Sequence, residues 1–252
     1  MADCPYTRDE MMTIAAARMI RNGAVLFVGI GLPSAAANLA LRTHAPDTVL
    51  IYESGCIGAR PSVLPLSIGD GELAETAECV VSVPEMFAYW LQGGRIDLGF
   101  LSAAQIDRYA NINTTAIGPY DAPSVRLPGA GGASEIAASC GEVLITLRQT
   151  RRSFVERLDF VTSIGHFEGG RSRETLRMRG RGPVAVITDL GILTPDPDTR
   201  ELTLTSLHPG VSCAQVVAVT GWPLRVAPMV ETTAPPSATE LAALRELAGS
   251  RL

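Results

Sequence analysis

Ala24-Val25-Leu26-Phe27-Val28-Gly29-Ile30-Gly31-Leu32-Pro33-Ser34 is the stretch on which the fold turns. Five apolar residues rich in β-formers read as a strand buried on both faces. The strand breaks at Gly29 and Gly31, which let the backbone turn tightly, and a helix then runs through Ala35 to about Arg42. Upstream, Thr7 is placed as an N-cap with Asp9 and Glu10 in the first turn. Met11, Met12, Ala15, Met19 and Ile20 then share one helical face, and Asn22-Gly23 supplies the stop. Downstream, Thr48-Val49-Leu50-Ile51-Tyr52 repeats the buried-strand pattern and ends at Glu53-Ser54-Gly55.

The alternation continues along the chain. Further strands are expected near residues 79–83, 98–101, 143–147, 160–162 and 184–188, and a last amphipathic helix near 239–248. Strands alternating with helices predict an α/β fold, an open and mostly parallel sheet flanked by helices. Neither an internal repeat nor a linker divides the chain, so residues 1–252 are expected to form a single domain. A long loop bearing glycine and proline, from about Gly55 to Gly71, follows directly on a strand end, where function concentrates.

Composition narrows the chemistry. The 252 residues are 46% hydrophobic and 19% charged with a formal charge of −5, which fits a globular enzyme and leaves no basic footprint for nucleic acid. All 21 basic residues are arginines, which excludes a Schiff-base lysine and a P-loop lysine. Cys4, Cys56, Cys79, Cys140 and Cys213 are scattered without a CxxC pair, the pattern of reduced thiols in a cytoplasm. Met1-Ala2-Asp3-Cys4-Pro5 lacks the apolar run of a signal peptide, and no stretch has the length of a membrane span. His166 and His208 lie in apparent turns, and no cluster has metal-ligand spacing, so a metal site is not expected.

Three constellations carry the candidate chemistry. Gly29-x-Gly31-x-x-Ser34 between strand and helix, with Glu53 about 20 residues on, has the layout of a dinucleotide-binding fingerprint. An NAD-dependent oxidoreductase of the Rossmann kind is therefore one reading, although Ser34 replaces the third glycine. Glycines that merely turn the chain are the other. The second constellation is Tyr52-Glu53-Ser54-Gly55-Cys56, a carboxylate at a strand's carboxyl end, where α/β proteins place ligands. Cys56 competes with Glu53 as a nucleophile, unless it is simply a small buried residue. The third is Leu127-Pro128-Gly129-Ala130-Gly131-Gly132-Ala133-Ser134, whose amides either receive an anion or form a plain turn. Asn111 and Asn113, upstream of it, either line a site or form an Asx turn.

Ile51-Tyr52-Glu53-Ser54-Gly55 resembles the glutamate motif of the class I coenzyme A transferases. Val28-Gly29-Ile30-Gly31-Leu32-Pro33, Ser67-Ile68-Gly69-Asp70, Gln105-Ile106-Asp107-Arg108-Tyr109, Leu127 to Gly132 and Ser206-Leu207-His208-Pro209-Gly210 resemble further segments of the family. The likeness runs from about Thr7 to Arg245 and is to the B, or beta, subunits. Leu64 to Ala77 and Tyr89 to Asp97 look most like the subfamily that serves 3-oxoadipate in aromatic degradation. The glutaconate branch is more distant. Two departures stand out: Ala110 replaces a glycine common in the family, and Cys56 occupies a variable position.

The resemblance implies a CoA-transferase acting with an A subunit, as a heterodimer or heterotetramer, with a CoA thioester as substrate and no tightly bound cofactor. Glu53 would be the covalent nucleophile, which removes it from the dinucleotide reading. Its retention also argues against the family's hydrolase and decarboxylase offshoots. Gly131 and Gly132, with Asn111 and Asn113, would bind substrate and oxyanion, and Gly29 and Gly31 would approach the CoA substrate. Both 3-oxoadipate and succinyl-CoA carry a distal carboxylate, for which Arg60, Arg126 and Arg151 are candidate readers.

Overall fold

The computed structural model describes residues 6–249; Met1 to Pro5, including Cys4, lie outside them. Helix α1 (Arg8–Arg18) begins under a capping box. The Thr7 hydroxyl accepts from the Glu10 amide at 3.1 Å and the Glu10 carboxylate accepts from the Thr7 amide at 2.7 Å. Strand β1 (Val25–Val28), helix α2 (Leu32–Arg42) and strand β2 (Val49–Tyr52) follow as the opening sequence predicts. Next come β3 (Cys56–Ile57), α3 (Gly71–Glu75), β4 (Cys79–Val80), the single turn α4 (Val83–Glu85), a π-helical turn (Met86–Leu91) and β5 (Leu98–Leu101). Two small hairpins, β6 (Gln105–Ile106) with β7 (Ile112–Asn113) and β8 (Ala116–Ile117) with β9 (Val125–Arg126), precede α5 (Ala133–Ser139) and β10 (Glu142–Thr146). The rest is α6 (Ser172–Thr175), β11 (Pro183–Ile187), β12 (Gly191–Pro195), β13 (Leu202–Leu207), α7 (Cys213–Ala218), β14 (Arg225–Thr232) and α8 (Ala238–Gly249).

Ten strands form one sheet in the order β14-β13-β12-β11-β10-β5-β1-β2-β3-β4. Its centre, from β11 to β2, is wholly parallel, while β3, β4 and β12 join antiparallel. The central strands read as unbroken apolar runs because alternate side chains fill two different cores. Leu26, Val28, Leu50, Tyr52, Leu144 and Ala185 pack on one face, under α1, α2 and α8. Phe27, Ile51, Val143, Ile145 and Val186 pack on the other, where Ile136 and Ala137 of α5 and Met86 and Leu91 of the π-helical turn meet them. Among the described residues no helix is long and apolar enough to cross a membrane.

Two sequence expectations need correction. Residues 160–162 are not a strand: the Phe160 ring stacks on Tyr120 at 5.2 Å, and the Thr162 hydroxyl serves the Thr114 amide and the Thr115 hydroxyl. Only Ser163 makes a bridge, to Ile112. The strand expected over 79–83 stops at Val80, because Ser82 caps α4 and Pro84 lies in its first turn. Strands β12, β13 and β14 have no counterpart among the sequence expectations.

Helix α8 is tied to α1 by Arg18, whose guanidinium donates twice to the Glu240 carboxylate, at 2.7 Å each. That contact, ahead of bonds from Ser237 and against the cost of burial, holds Glu240 down to about 2, from 4.5 for the free group. The folded value is depressed, so the pair stabilises the fold above about 4.5 and ceases to as pH falls towards about 2. Between pH 6 and pH 3 the native protein should therefore lose more melting temperature than Glu240→Gln. A difference of roughly 1–3 °C in calorimetry is expected, small because the pair is partly solvated.

A second anchor is Arg173, which is buried and donates to three carbonyls: Gly180 at 3.0 Å, Gly165 at 2.7 Å and Ala137 at 3.0 Å. Desolvation lowers it to about 10, still charged at neutral pH. Arg173→Met would leave three buried acceptors without a donor, at a cost of about 3 kcal/mol or more by urea denaturation.

Candidate active site

Glu53 follows β2 directly, and the turn beyond it is fixed by Gly55. Gly55 has φ +98°, and an added Cβ there would lie 2.0 Å from the Val81 carbonyl oxygen, so no side chain fits. The Gly55 amide donates back to the Tyr52 carbonyl at 2.9 Å and the Val81 amide donates to the Gly55 carbonyl at 3.0 Å. Tyr52 is fully buried, and its hydroxyl sits 3.1 Å from Ser34 Oγ and 3.3 Å from Asn38 Nδ2. This explains Ser34 at the third position of the glycine fingerprint: its hydroxyl ties α2 to β2, where a glycine would leave the tyrosine hydroxyl one partner poorer.

These contacts present Glu53 to a pocket of about 220 Å³ at the carboxyl ends of β1 and β5. Phe27 to Ile30 and Pro33 form one wall, Phe100 to Ser102 another, and Ala130 to Ala133 with Ile136 a third. Among the described residues nothing hydrogen-bonds or ion-pairs with the Glu53 carboxylate, so it is not spent on holding the fold. The approach of Gly132 is close: a Cβ built there would lie 2.2 Å from Glu53 Oε1 and 2.9 Å from Phe87 Cζ. Only glycine lets the loop, the carboxylate and the Phe87 ring share this corner. The amides of Gly131 and Gly132 meet no acceptor among the described residues. Gly131 itself has φ +48°.

The structure thus brings Gly29, Glu53, Gly131 and Gly132 together. Gly31 is not in the wall; at φ 82° it turns the chain into α2. Asn111 and Asn113 are not in the wall either. The Asn111 side chain donates to Asp107 and to the Phe167 carbonyl and accepts from the Gly165 and Phe167 amides. Asn113 donates to Gln105 and to the Ala116 carbonyl and accepts from the Thr115 amide, an Asx turn. Both side chains are consumed by the scaffold. Ala110, beside Asn111, has φ 58°, a backbone conformation that glycine would adopt at lower cost.

Cys56 is buried, with its sulfur 3.5 Å from Ser54 Oγ, and does not line the pocket. Arg60 donates to the Pro46 carbonyl, Arg126 to that of Tyr120 and Arg151 to that of Ala218; none lines the pocket. Two contributors have no signal in the sequence motifs. Ser102 follows β5 directly, lines the Glu53 pocket and also lines an adjoining cavity of about 280 Å³ formed with Ala103, Ala104, Thr114 and Leu127 to Gly129. Phe87, in the π-helical turn, brings its ring up to the same Gly132 corner that the carboxylate approaches, and its position follows only from tertiary packing.

Known proteins share this fold. The family model for coenzyme A transferase matches residues 9–219. The chain belongs to the coenzyme A transferase family. Among curated relatives, the B subunit of 3-oxoadipate CoA-transferase from Pseudomonas knackmussii is 64% identical over 242 residues, covering 96% of this chain and 93% of the relative. The crystal structure of glutaconate coenzyme A-transferase from Acidaminococcus fermentans superposes with a TM-score of 0.90 at 34% identity, covering 96% of this chain and 94% of that one. The decarboxylase AibA/AibB shares the fold at a TM-score of 0.81 and 27% identity, covering 96% of this chain and 94% of that one. A transferase and a decarboxylase therefore use one backbone, and the site residues must separate their chemistries.

Proposed function

We propose that this chain is the B subunit of a transferase that moves CoA from succinyl-CoA to 3-oxoadipate, with Glu53 as the covalent nucleophile. The observation that carries the reading is the uncommitted Glu53 carboxylate at the mouth of the strands, pressed against Gly132. The carboxylate attacks the thioester carbonyl of the donor; the C–S bond breaks, giving a succinyl–glutamyl anhydride and CoA thiolate. The thiolate attacks the glutamyl carbonyl, releasing succinate and leaving a glutamyl–CoA thioester. The acceptor carboxylate then attacks that thioester, forming a second anhydride and freeing the thiolate. Attack of the thiolate on the acceptor carbonyl gives 3-oxoadipyl-CoA and regenerates the carboxylate.

A carboxylate suits this sequence because it is ionised at neutral pH and its anhydride exchanges acyl groups readily. Each addition creates an oxyanion, and the Gly131 and Gly132 amides are the donors this chain offers it. The apolar walls from Phe27, Phe100, Leu101 and Ile136 keep water from the anhydride. CoA enters as a substrate, and an A subunit completes the site, as the B-subunit relatives suggest. The chain works as one domain of a cytoplasmic enzyme.

Identity to the Pseudomonas protein supports 3-oxoadipate over glutaconate as acceptor. Steady-state rates of the complex with its A subunit, using succinyl-CoA and 3-oxoadipate, acetoacetate or glutaconate, test this. The highest kcat/KM is expected for 3-oxoadipate; an equal or higher value for glutaconate would overturn the assignment.

A further inference from the structure

The sequence between Glu168 and Arg181 holds five arginines against two glutamates, in a chain whose formal charge is −5. The structure gathers this excess around a cavity of about 320 Å³, larger than the Glu53 pocket. Arg171, Arg173, Arg179, Arg181 and Arg200 line it, and Glu174 is the one acid among them. Its volume falls at the lower end of the range, roughly 300–1,000 Å³, in which proteins hold small ligands.

The cavity lies far from the chemistry already described. Pro183 and Val184 open β11 and Pro195 closes the antiparallel β12, so the cavity sits at the amino ends of the parallel strands. Glu53 sits at their carboxyl ends. A ligand here does not meet the reacting carboxylate.

The cations are not all neutralised. Arg171 pairs with Glu174 and Arg181 with Glu142. Arg173 is pinned by its three carbonyls. Arg179 donates to the Gln92 carbonyl alone, and Arg200 meets no acid among the described residues. The backbone that carries them is strained. Of the four non-glycine residues with positive φ among the described residues, three belong to this region: Phe167 at 56°, Arg177 at 56° and Arg200 at 63°. Each such residue costs about 1–2 kcal/mol, and a structure that keeps several together holds their side chains in a set arrangement.

We propose that this cavity binds a small, multiply charged phosphate ester or diphosphate, separate from the reacting CoA thioester. Arg179 and Arg200 are its principal ligands, and Arg173 supplies the fixed positive floor. Several guanidinium groups lining one cavity favour a phosphate group with more than one negative charge over a single carboxylate.

The test uses the complex with its A subunit and titrates inorganic diphosphate, with adipate as the carboxylate control, by calorimetry at constant ionic strength. Saturable binding with one site per copy of this chain is expected, weaker for adipate. In the double variant Arg179→Gln/Arg200→Gln the Kd for diphosphate should rise about tenfold or more. Arg60→Gln, elsewhere on the surface, should leave it unchanged. The KM for succinyl-CoA in the double variant should stay within twofold of the native value. Absence of saturable binding, or a Kd unmoved by the double variant in a protein with native circular dichroism, overturns the proposal. So does a KM for succinyl-CoA rising in step with the Kd, because the arginines would then belong to the substrate's own phosphates.

Discussion

Glu53→Gln is expected to lower kcat of the assembled enzyme by at least about 10³-fold while leaving its melting temperature within a degree or two. Glutamine has the shape of glutamate, and among the described residues the carboxylate it replaces makes no hydrogen bond or ion pair. What is lost is the nucleophile: an amide oxygen carries no charge and forms no anhydride that CoA thiolate can open. The companion variant separates the rival nucleophile. Cys56→Ala removes a buried sulfur that faces Ser54 rather than the pocket, so transfer should persist within about twofold. A reversal of these two results would move the chemistry to the thiol.

Gly132→Ala should be nearly as damaging, through geometry rather than chemistry. The added methyl would fall 2.2 Å from Glu53 Oε1 and 2.9 Å from Phe87 Cζ, inside any allowed contact. The carboxylate is the flexible end of a side chain, so it yields first and the fold survives. A nucleophile displaced by about 1 Å costs roughly 10²-fold in rate. We expect kcat to fall by that order while urea midpoints barely move. Phe87→Ala in the same background should restore little of the rate, because the clash with the carboxylate remains. Gly131→Ala, whose Cβ position is open, should lose less despite its φ of +48°.

The opening βαβ unit is legible because its signals are local. A capped helix, an apolar run and a glycine break each follow from neighbouring residues, and the structure matches them within about one to three residues. The antiparallel part of the sheet is harder to read. Leu202 to Thr205 alternates apolar and polar residues as an antiparallel strand should, and Leu202 and Leu204 are fully buried, yet this alternation differs from the unbroken apolar runs that mark the parallel strands. β14 is exposed along most of its length, so hydropathy carries little trace of it. Phe160 to Thr162 shows the opposite error, a β-like tripeptide whose Phe160 and Thr162 side chains find partners in a loop.

The site divides the same way. Glu53 and the glycine loop can be named because strand ends and glycines are visible in sequence. Asn111 and Asn113 look equally polar there, and only the fold shows that their amides serve the scaffold. Phe87 carries no sequence mark at all; the π-helical turn that holds it brings its ring to the Gly132 corner beside Glu53.

The central claim is that Glu53 carries CoA covalently. The complex with its A subunit should be incubated with succinyl-CoA alone, reduced with borohydride, digested and analysed by mass spectrometry. Reduction of a glutamyl–CoA thioester to the alcohol is expected at Glu53, dependent on succinyl-CoA and absent when 3-oxoadipate is added before the reductant. Modification at Cys56, or an unmodified Glu53 in an enzyme that turns over, would contradict it.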